Sequence, residues 1–236
     1  MTGYPFIRFS RFYILLILST IFYFGWGLVL FLFKPRNAVT HDISKRWAAF
    51  NLKRAGVELE VYGREHLSQG PSIFVFNHQS LLDMFILCRI VPPKTLSAAK
   101  KSFRYFPVMG WFMKAAGVVF IDRYHHQRAL EGMKQVKAKV DQGYSMVISP
   151  EGTRTATGDL LPFKKGAFYL ALQTRLPIVP ITLVNAYALL PRHNWIPKPG
   201  TIKVFIDPPI PTDAWTEENI PEAIQQVQNI FLSHLG

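Results

Sequence analysis

Cysteine is all but absent from this chain. Cys88 is the only one, which excludes an intramolecular disulfide and suits a reducing compartment. No H-x-x-x-H pattern accompanies it, so no metal site is expected. Acidic residues are also scarce, 15 Asp and Glu against 27 Lys and Arg, giving a net charge of +12. The P-loop, the G-x-G-x-x-G fingerprint and the G-x-S-x-G nucleophile elbow are all missing. Their absence argues against the usual nucleotide cradles and against a serine-nucleophile hydrolase. There is no internal repeat and no low-complexity tract, which argues against a solenoid or an extended linker.

What is present is unevenly placed. Residues 1–57 hold eight Lys and Arg against the single acid Asp42, whereas from Thr201 onward five acids face one Lys. A basic N-terminal part suits an anionic membrane surface or a nucleic acid. The run from Phe12 to Phe33, 22 positions without a charge, decides for the membrane and against nucleic acid. As a helix it is about 33 Å long, enough to cover a hydrocarbon core of about 30 Å. A signal peptide has a shorter apolar region and a small-x-small cleavage site, whereas this run ends in Lys34-Pro35-Arg36. Two geometries fit the run, a bilayer crossing or a helix lying in one leaflet. More positive charge follows it than precedes it, which places the rest of the chain on the cytoplasmic side. Residues 42–56 mix Trp47, Phe50 and Leu52 with Lys45, Arg46, Lys53 and Arg54. That pattern reads as a basic amphipathic helix on the interface, in contact with anionic lipids. The competing reading is a solvated helix packed on a globular domain.

From Val57 onward short apolar runs alternate with helical patterns, the mark of an α/β domain with a mixed, largely parallel sheet flanked by helices. The expected organisation is a helical membrane-anchoring segment over 1–56 and the α/β domain over 57–236. Strands are expected at Val57–Tyr62, Ser72–Phe76, Thr95–Ala98, Val118–Ile121, Ser145–Ile148, Ile178–Val184 and Ile202–Ile206. Helices are expected at Leu81–Arg89, Gly110–Ala116, His126–Gln142, Gly166–Thr174 and Thr216–Leu235. Three of the strands deliver polar clusters at their carboxyl ends: Asn77-His78 through Asp83, Asp122-Arg123, and Glu151-Gly152-Thr153-Arg154. In open α/β sheets ligands bind in that crevice.

His78 and Asp83 are five apart, so on one continuous helix they would not share a face. Ser80-Leu81-Leu82-Asp83 resembles a capping box, with Ser80 as N-cap and Asp83 at the third helical position. A turn there lets His78 fold back on Asp83, giving an imidazole general base oriented by a carboxylate. The bland alternative is that Asp83 caps a helix and His78 is a turn residue. Arg154 and Arg123 offer forked donors for phosphate, Gly152 a turn whose N–H groups face an anion, and Lys100 a point charge.

NHQSLLD, GVVFIDR, SPEGTR and VPI, in that order, resemble the four blocks of the glycerolipid acyltransferase family, and AAKK and FKKGAF fit the same pattern. The similarity covers about residues 55–185. It implies direct acyl transfer without an acyl-enzyme: His78 deprotonates the hydroxyl of a lysophospholipid acceptor such as 1-acylglycerol-3-phosphate, and Asp83 orients His78. Lys100, Arg123, Glu151, Gly152, Thr153 and Arg154 would bind the glycerol phosphate. No cofactor is implied beyond the acyl donor, carried on coenzyme A or acyl carrier protein. The family also carries an N-terminal helical membrane motif, matched here by residues 6–54. Ser149 departs from the Phe common before Pro-Glu-Gly, and Ser102-Phe103 from the usual Glu-Leu. The rival readings are another lyso-lipid acceptor and a non-catalytic lipid-binding protein.

The apolar run sets an expectation about extraction. The full chain should sediment with membranes and require detergent for release. High salt screens only the basic contribution of Lys45, Arg46 and their neighbours. Release by salt alone would show that the run is not inserted.

Overall fold

The computed structural model describes residues 3–68, 70–121 and 126–236. In chain order its elements are α1 (Gly3–Leu30), α2 (Arg36–Ala55), β1 (Val57–Tyr62), β2 (Ile73–Phe76), α3 (Leu82–Ile90), β3 (Thr95–Lys100), α4 (Met109–Ala115) and β4 (Val119–Ile121). They continue with α5 (His126–Val140), β5 (Ser145–Ile148), α6 (Gly166–Thr174), β6 (Ile178–Val184), α7 (Ala186–Leu189), β7 (Gly200–Ile206) and α8 (Ile220–Leu235). Two 3-10 segments, Arg64–Ser68 and Lys101–Tyr105, join them. The seven strand positions agree with the sequence pattern. The 3-10 segments and α7 carry no apolar period that would have announced them.

The strands form one sheet in the order β1-β7-β6-β2-β5-β3-β4. β2 runs parallel to both β5 and β6, and β3 runs parallel to β5 and β4. The β6–β7 pairing is antiparallel, as is an isolated bridge between Ile178 and Ile210. The central strands are buried along their length because helices cover both faces, as their unbroken apolar composition requires. Phe74 and Phe76 face one core with α2 and α3, while Ile73 and Val75 face the other with α6 and α8. That is the period of two of a strand. Pro180 is tolerated in the middle of β6 because ladder pairing with β7 begins one residue later, at Ile181.

α1 and α2 form an antiparallel hairpin. Asn51 Nδ2 donates to Ser19 Oγ at 3.2 Å, and Trp47 Nε1 donates to Thr20 Oγ1 at 3.2 Å. An aromatic chain then runs through the molecule. Phe31 and Phe24 stack on Phe112 of α4 with centroids 5.2 and 4.6 Å away, Phe24 packs on Trp47, and Trp47 packs on Phe85 of α3. The face of α2 expected to meet lipid is therefore occupied: Val39, Ile43, Trp47, Ala48 and Leu52 are buried against protein. The competing reading, a helix packed on the domain, is the one observed.

α1 instead presents the bare apolar surface. Its span from Ser10 to Leu30 is long and apolar enough to cross a membrane and is mostly uncovered. Ile14, Ile17, Leu18, Ile21, Phe22, Trp26 and Val29 are exposed at helical spacing along one stripe. The neighbouring segment adds exposed Tyr105, Phe106 and Trp111.

The close approach of α1 to α4 depends on Gly27, where a Cβ would collide with the Phe112 ring. Gly27→Leu should force that ring away and cost about 1–3 kcal/mol, the usual range for overpacking. In detergent this should appear as a midpoint lowered by roughly 2–12 °C. An unchanged midpoint would show that the aromatic chain does not hold the hairpin.

Candidate active site

β2 ends at Phe76, and the next four residues are fixed from every side. Asn77 exchanges two hydrogen bonds with the backbone of Leu183 in β6, 3.0 Å to its carbonyl and 2.7 Å from its N–H. The His78 peptide is held by the loop after β5: its N–H donates to Glu151 Oε1 at 2.6 Å, and its carbonyl accepts from Thr155 N–H at 3.0 Å. Gln79 Nε2 donates to the Gly158 carbonyl, and Ser80 Oγ donates to the Leu190 carbonyl. These partners lie about 75–110 residues away in sequence, so the local pattern gave no sign of them.

Asp83 is fully buried, and its Oδ2 collects three donors: the N–H groups of Gln79 and Ser80, each at 2.8 Å, and His78 Nδ1 at 2.7 Å. Its Oδ1 has no hydrogen-bond partner. The return bond from Asp83 to the Ser80 N–H is half of the capping box expected from sequence. The other half differs, because Ser80 Oγ accepts from Leu82 N–H at 3.2 Å rather than from Asp83. The assigned helix accordingly starts at Leu82, two residues past Ser80. A carboxylate can only accept, so Nδ1 carries the proton and Nε2 carries the lone pair. The His78 side chain is 29% exposed. The result is a partly exposed imidazole oriented by a buried acid, an arrangement that suits a general base.

The loop after β5 supplies the second wall. Glu151 is buried, and both oxygens accept from backbone, Oε1 from His78 and Oε2 from Leu161 N–H at 2.9 Å. Burial pushes its carboxyl above the ordinary range, outweighing those two N–H groups, which pull it down. Gly152 turns the chain at φ +71, where an L residue is strained. A Cβ there would come within 3.0 Å of Lys164 Nζ, so the Lys164 ammonium lies over the turn. Thr153 is exposed and Arg154 half-buried. The Arg154 carbonyl accepts from Arg192 Nη1 at 3.1 Å, and the Tyr13 hydroxyl of α1 lies within the field of the Arg154 guanidinium. Lys100 ends β3, beside β5, at the same edge of the sheet. Arg123 lies outside the described residues.

The structure thus brings His78 and Asp83 together and sets the Glu151–Arg154 turn against them. Lys164 and Arg192 were not expected at the site from sequence. The FKKGAF block held a signal for Lys164, whereas Arg192 sits in a proline-bounded loop with none. Among the described residues no cluster of His, Cys, Asp and Glu could hold a metal ion.

A family model described as "Acyltransferase" matches residues 58–184. The 1-acyl-sn-glycerol-3-phosphate acyltransferase of Saccharomyces cerevisiae is 40% identical over 183 residues, 76% of this chain and 60% of that protein. The protein of the same name from Cocos nucifera is 38% identical over 181 residues, 76% of this chain and 58% of that one. The chain therefore spans about three fifths of these relatives. The crystal structure of the 1-acyl-sn-glycerophosphate acyltransferase of Thermotoga maritima shares the fold, with a TM-score of 0.83 at 24% identity over 95% of both chains.

Glu151 makes a pH dependence measurable. Because its folded value is raised, the folded chain binds this proton more tightly than the unfolded chain. The associated stability is fully present below the unfolded value of about 4.3 and is lost as pH rises through the folded one. Glu151→Gln removes that dependence. It also turns an amide N–H toward one of two backbone N–H groups, costing about 1–3 kcal/mol. In denaturant unfolding the advantage of wild type over variant should shrink from about pH 4 to pH 7. An advantage that grows with pH would contradict burial as the dominant cause.

Proposed function

The chain belongs to the acyltransferase family, and from that premise we propose that it moves a fatty acyl group from a thioester to the sn-2 hydroxyl of 1-acylglycerol-3-phosphate, giving phosphatidic acid. The observation that carries this reading is the His78–Asp83 pair, 2.7 Å apart, at the carboxyl end of β2 beside a turn rich in cations. His78 Nε2 takes the proton of the acceptor hydroxyl as its oxygen attacks the thioester carbonyl. The tetrahedral intermediate collapses by breaking the C–S bond, and the imidazolium returns its proton to the departing thiolate. Asp83 holds the ring and stabilises the imidazolium. Arg154, the Gly152 and Thr153 backbone, Lys100 and Arg123 hold the phosphate, and Lys164 adds a charge over the turn. Glu151, with both oxygens committed to backbone, contributes by joining the two loops. The donor is a thioester of coenzyme A or of acyl carrier protein. The names of the relatives support the acceptor class.

The membrane supplies both lipids, and the exposed stripe of α1 is the surface we assign to it. Because α1 lies along α2 and the domain, a crossing would drag Asn51 and the α2 cations into hydrocarbon. The stripe instead beds into one leaflet, with the basic flank of the hairpin toward a cytoplasmic surface.

Purified full chain given lysophosphatidic acid and each donor in turn should yield phosphatidic acid with at least one of them. His78→Ala should lower turnover by about 10²–10⁴-fold with folding intact. Arg154→Lys should retain part of the efficiency that Arg154→Ala loses, because it keeps the charge without the fork. That loss should be larger for the phosphomonoester acceptor than for one with an esterified phosphate. A folded His78→Ala enzyme with near-normal turnover would eliminate this mechanism.

A further inference from the structure

Away from the His78 loop, a cleft of about 250 Å³ opens between residues 11–15 of α1, the last turn of α2 and residues 196–197. Its lining combines the cations Arg11, Lys53 and Arg54 with the apolar Leu15, Ile196 and Pro197. Lys53 and Arg54 are exposed cations in the last turn of α2, where the helix dipole favours them. The dipole does not account for Arg11, which a different helix brings to the same cleft. Among the described residues none of the three is paired with a carboxylate. Three exposed cations that border one cleft beside apolar side chains give it a charge complementary to an anion.

The position of the cleft identifies the anion. Arg11 stands at the head of the apolar span that begins at Ser10, one turn before the exposed stripe that starts at Ile14. An occupant there meets cations at one end and a membrane-facing helix at the other. The volume accommodates a phosphate and its glycerol, not a whole lipid, so any chains must leave along α1. We propose that this cleft binds an anionic phospholipid, with its phosphate on Arg11, Lys53 and Arg54 and the upper part of its chains against Leu15 and Ile196. The inference rests on the membrane placement of α1 proposed above and not on the acceptor or the donor of the reaction. The same loop is tied to the active site, since Tyr13 packs on Trp195 at 6.3 Å and Arg192 donates to the Arg154 carbonyl.

Binding to the full chain in a non-ionic detergent tests the proposal, using dihexanoyl phosphatidylglycerol, dihexanoyl phosphatidylcholine, inorganic phosphate and coenzyme A as separate probes in isothermal titration. Phosphatidylglycerol should bind most tightly. The triple variant Arg11→Gln, Lys53→Gln, Arg54→Gln should weaken it by at least about 10-fold, the effect of losing one charged hydrogen bond. A variant of equal net charge, Arg64→Gln, Lys134→Gln, Lys203→Gln, should stay within about twofold of wild type, as surface charges away from a site do. Arg154→Ala should leave this binding unchanged. Four results would each overturn the proposal: equal binding of phosphatidylcholine, equal binding of phosphate or coenzyme A, equal weakening in the charge-matched variant, or loss in Arg154→Ala with retention in the triple variant. If the triple variant does not fold, Lys53→Gln alone, at an exposed position, should still weaken phosphatidylglycerol selectively. The same affinity in that variant would also overturn it.

Discussion

The carboxylate of Glu151 is the joint on which the site turns. It is buried at the carboxyl end of β5, with one oxygen on the His78 N–H and the other on the Leu161 N–H. Two adjacent parallel strands end there, and the loops they release would otherwise be free to part. A single carboxylate with two acceptor oxygens can satisfy two donors that face each other; an amide cannot. Thr155 completes the join by donating to the His78 carbonyl. The His78 peptide is therefore fixed at both polar groups before its side chain meets Asp83. The join has a cost in burying charge, visible in the raised Glu151 carboxyl.

The His78 imidazole is oriented in layers that each rely on the one beneath. Asp83 Oδ2 accepts from two backbone N–H groups as well as from the imidazole, so the acid is held by the turn that it caps. The turn is anchored in turn by Asn77 on β6 and by Ser80 on the Leu190 carbonyl. Phe85, two residues beyond Asp83, packs on Trp47, and Trp47 on Phe24 of α1. The helix that bears the acid is thus connected by aromatic contacts to the helix that bears the bare apolar face.

That connection makes the N-terminal hairpin part of the core rather than a tether. Phe12, Phe24 and Trp47 share one buried cluster with Phe74, Phe85 and Val204. α1 is apolar on every side, and a helix of that kind is at rest only where its surroundings are apolar on every side. Protein covers the face with Phe12, Phe24 and Gly27, and the opposite stripe is left exposed. The bare stripe of α1 is therefore held rigidly to the loop that carries His78.

The chain itself determined the strands, the main helices, the apolar span and the ordered blocks that mark the family. Each of these is written in a local period or spacing: two for a strand, 3.6 for a helix, about 20 apolar residues for a membrane-length span. The His78–Asp83 pair was legible for the same reason, because the two residues lie within one turn of each other. Tertiary structure decided which face of the hairpin stays bare, since α1 and α2 both offer apolar residues and only packing shows which are used. It also decided that Glu151 serves backbone, and that Lys164 and Arg192 join the Gly152 turn. Those contacts cross between strands and loops far apart in the chain. Hydrogen bonds and ammonium positions of that kind are set by sheet order, β6-β2-β5-β3, which no local pattern encodes.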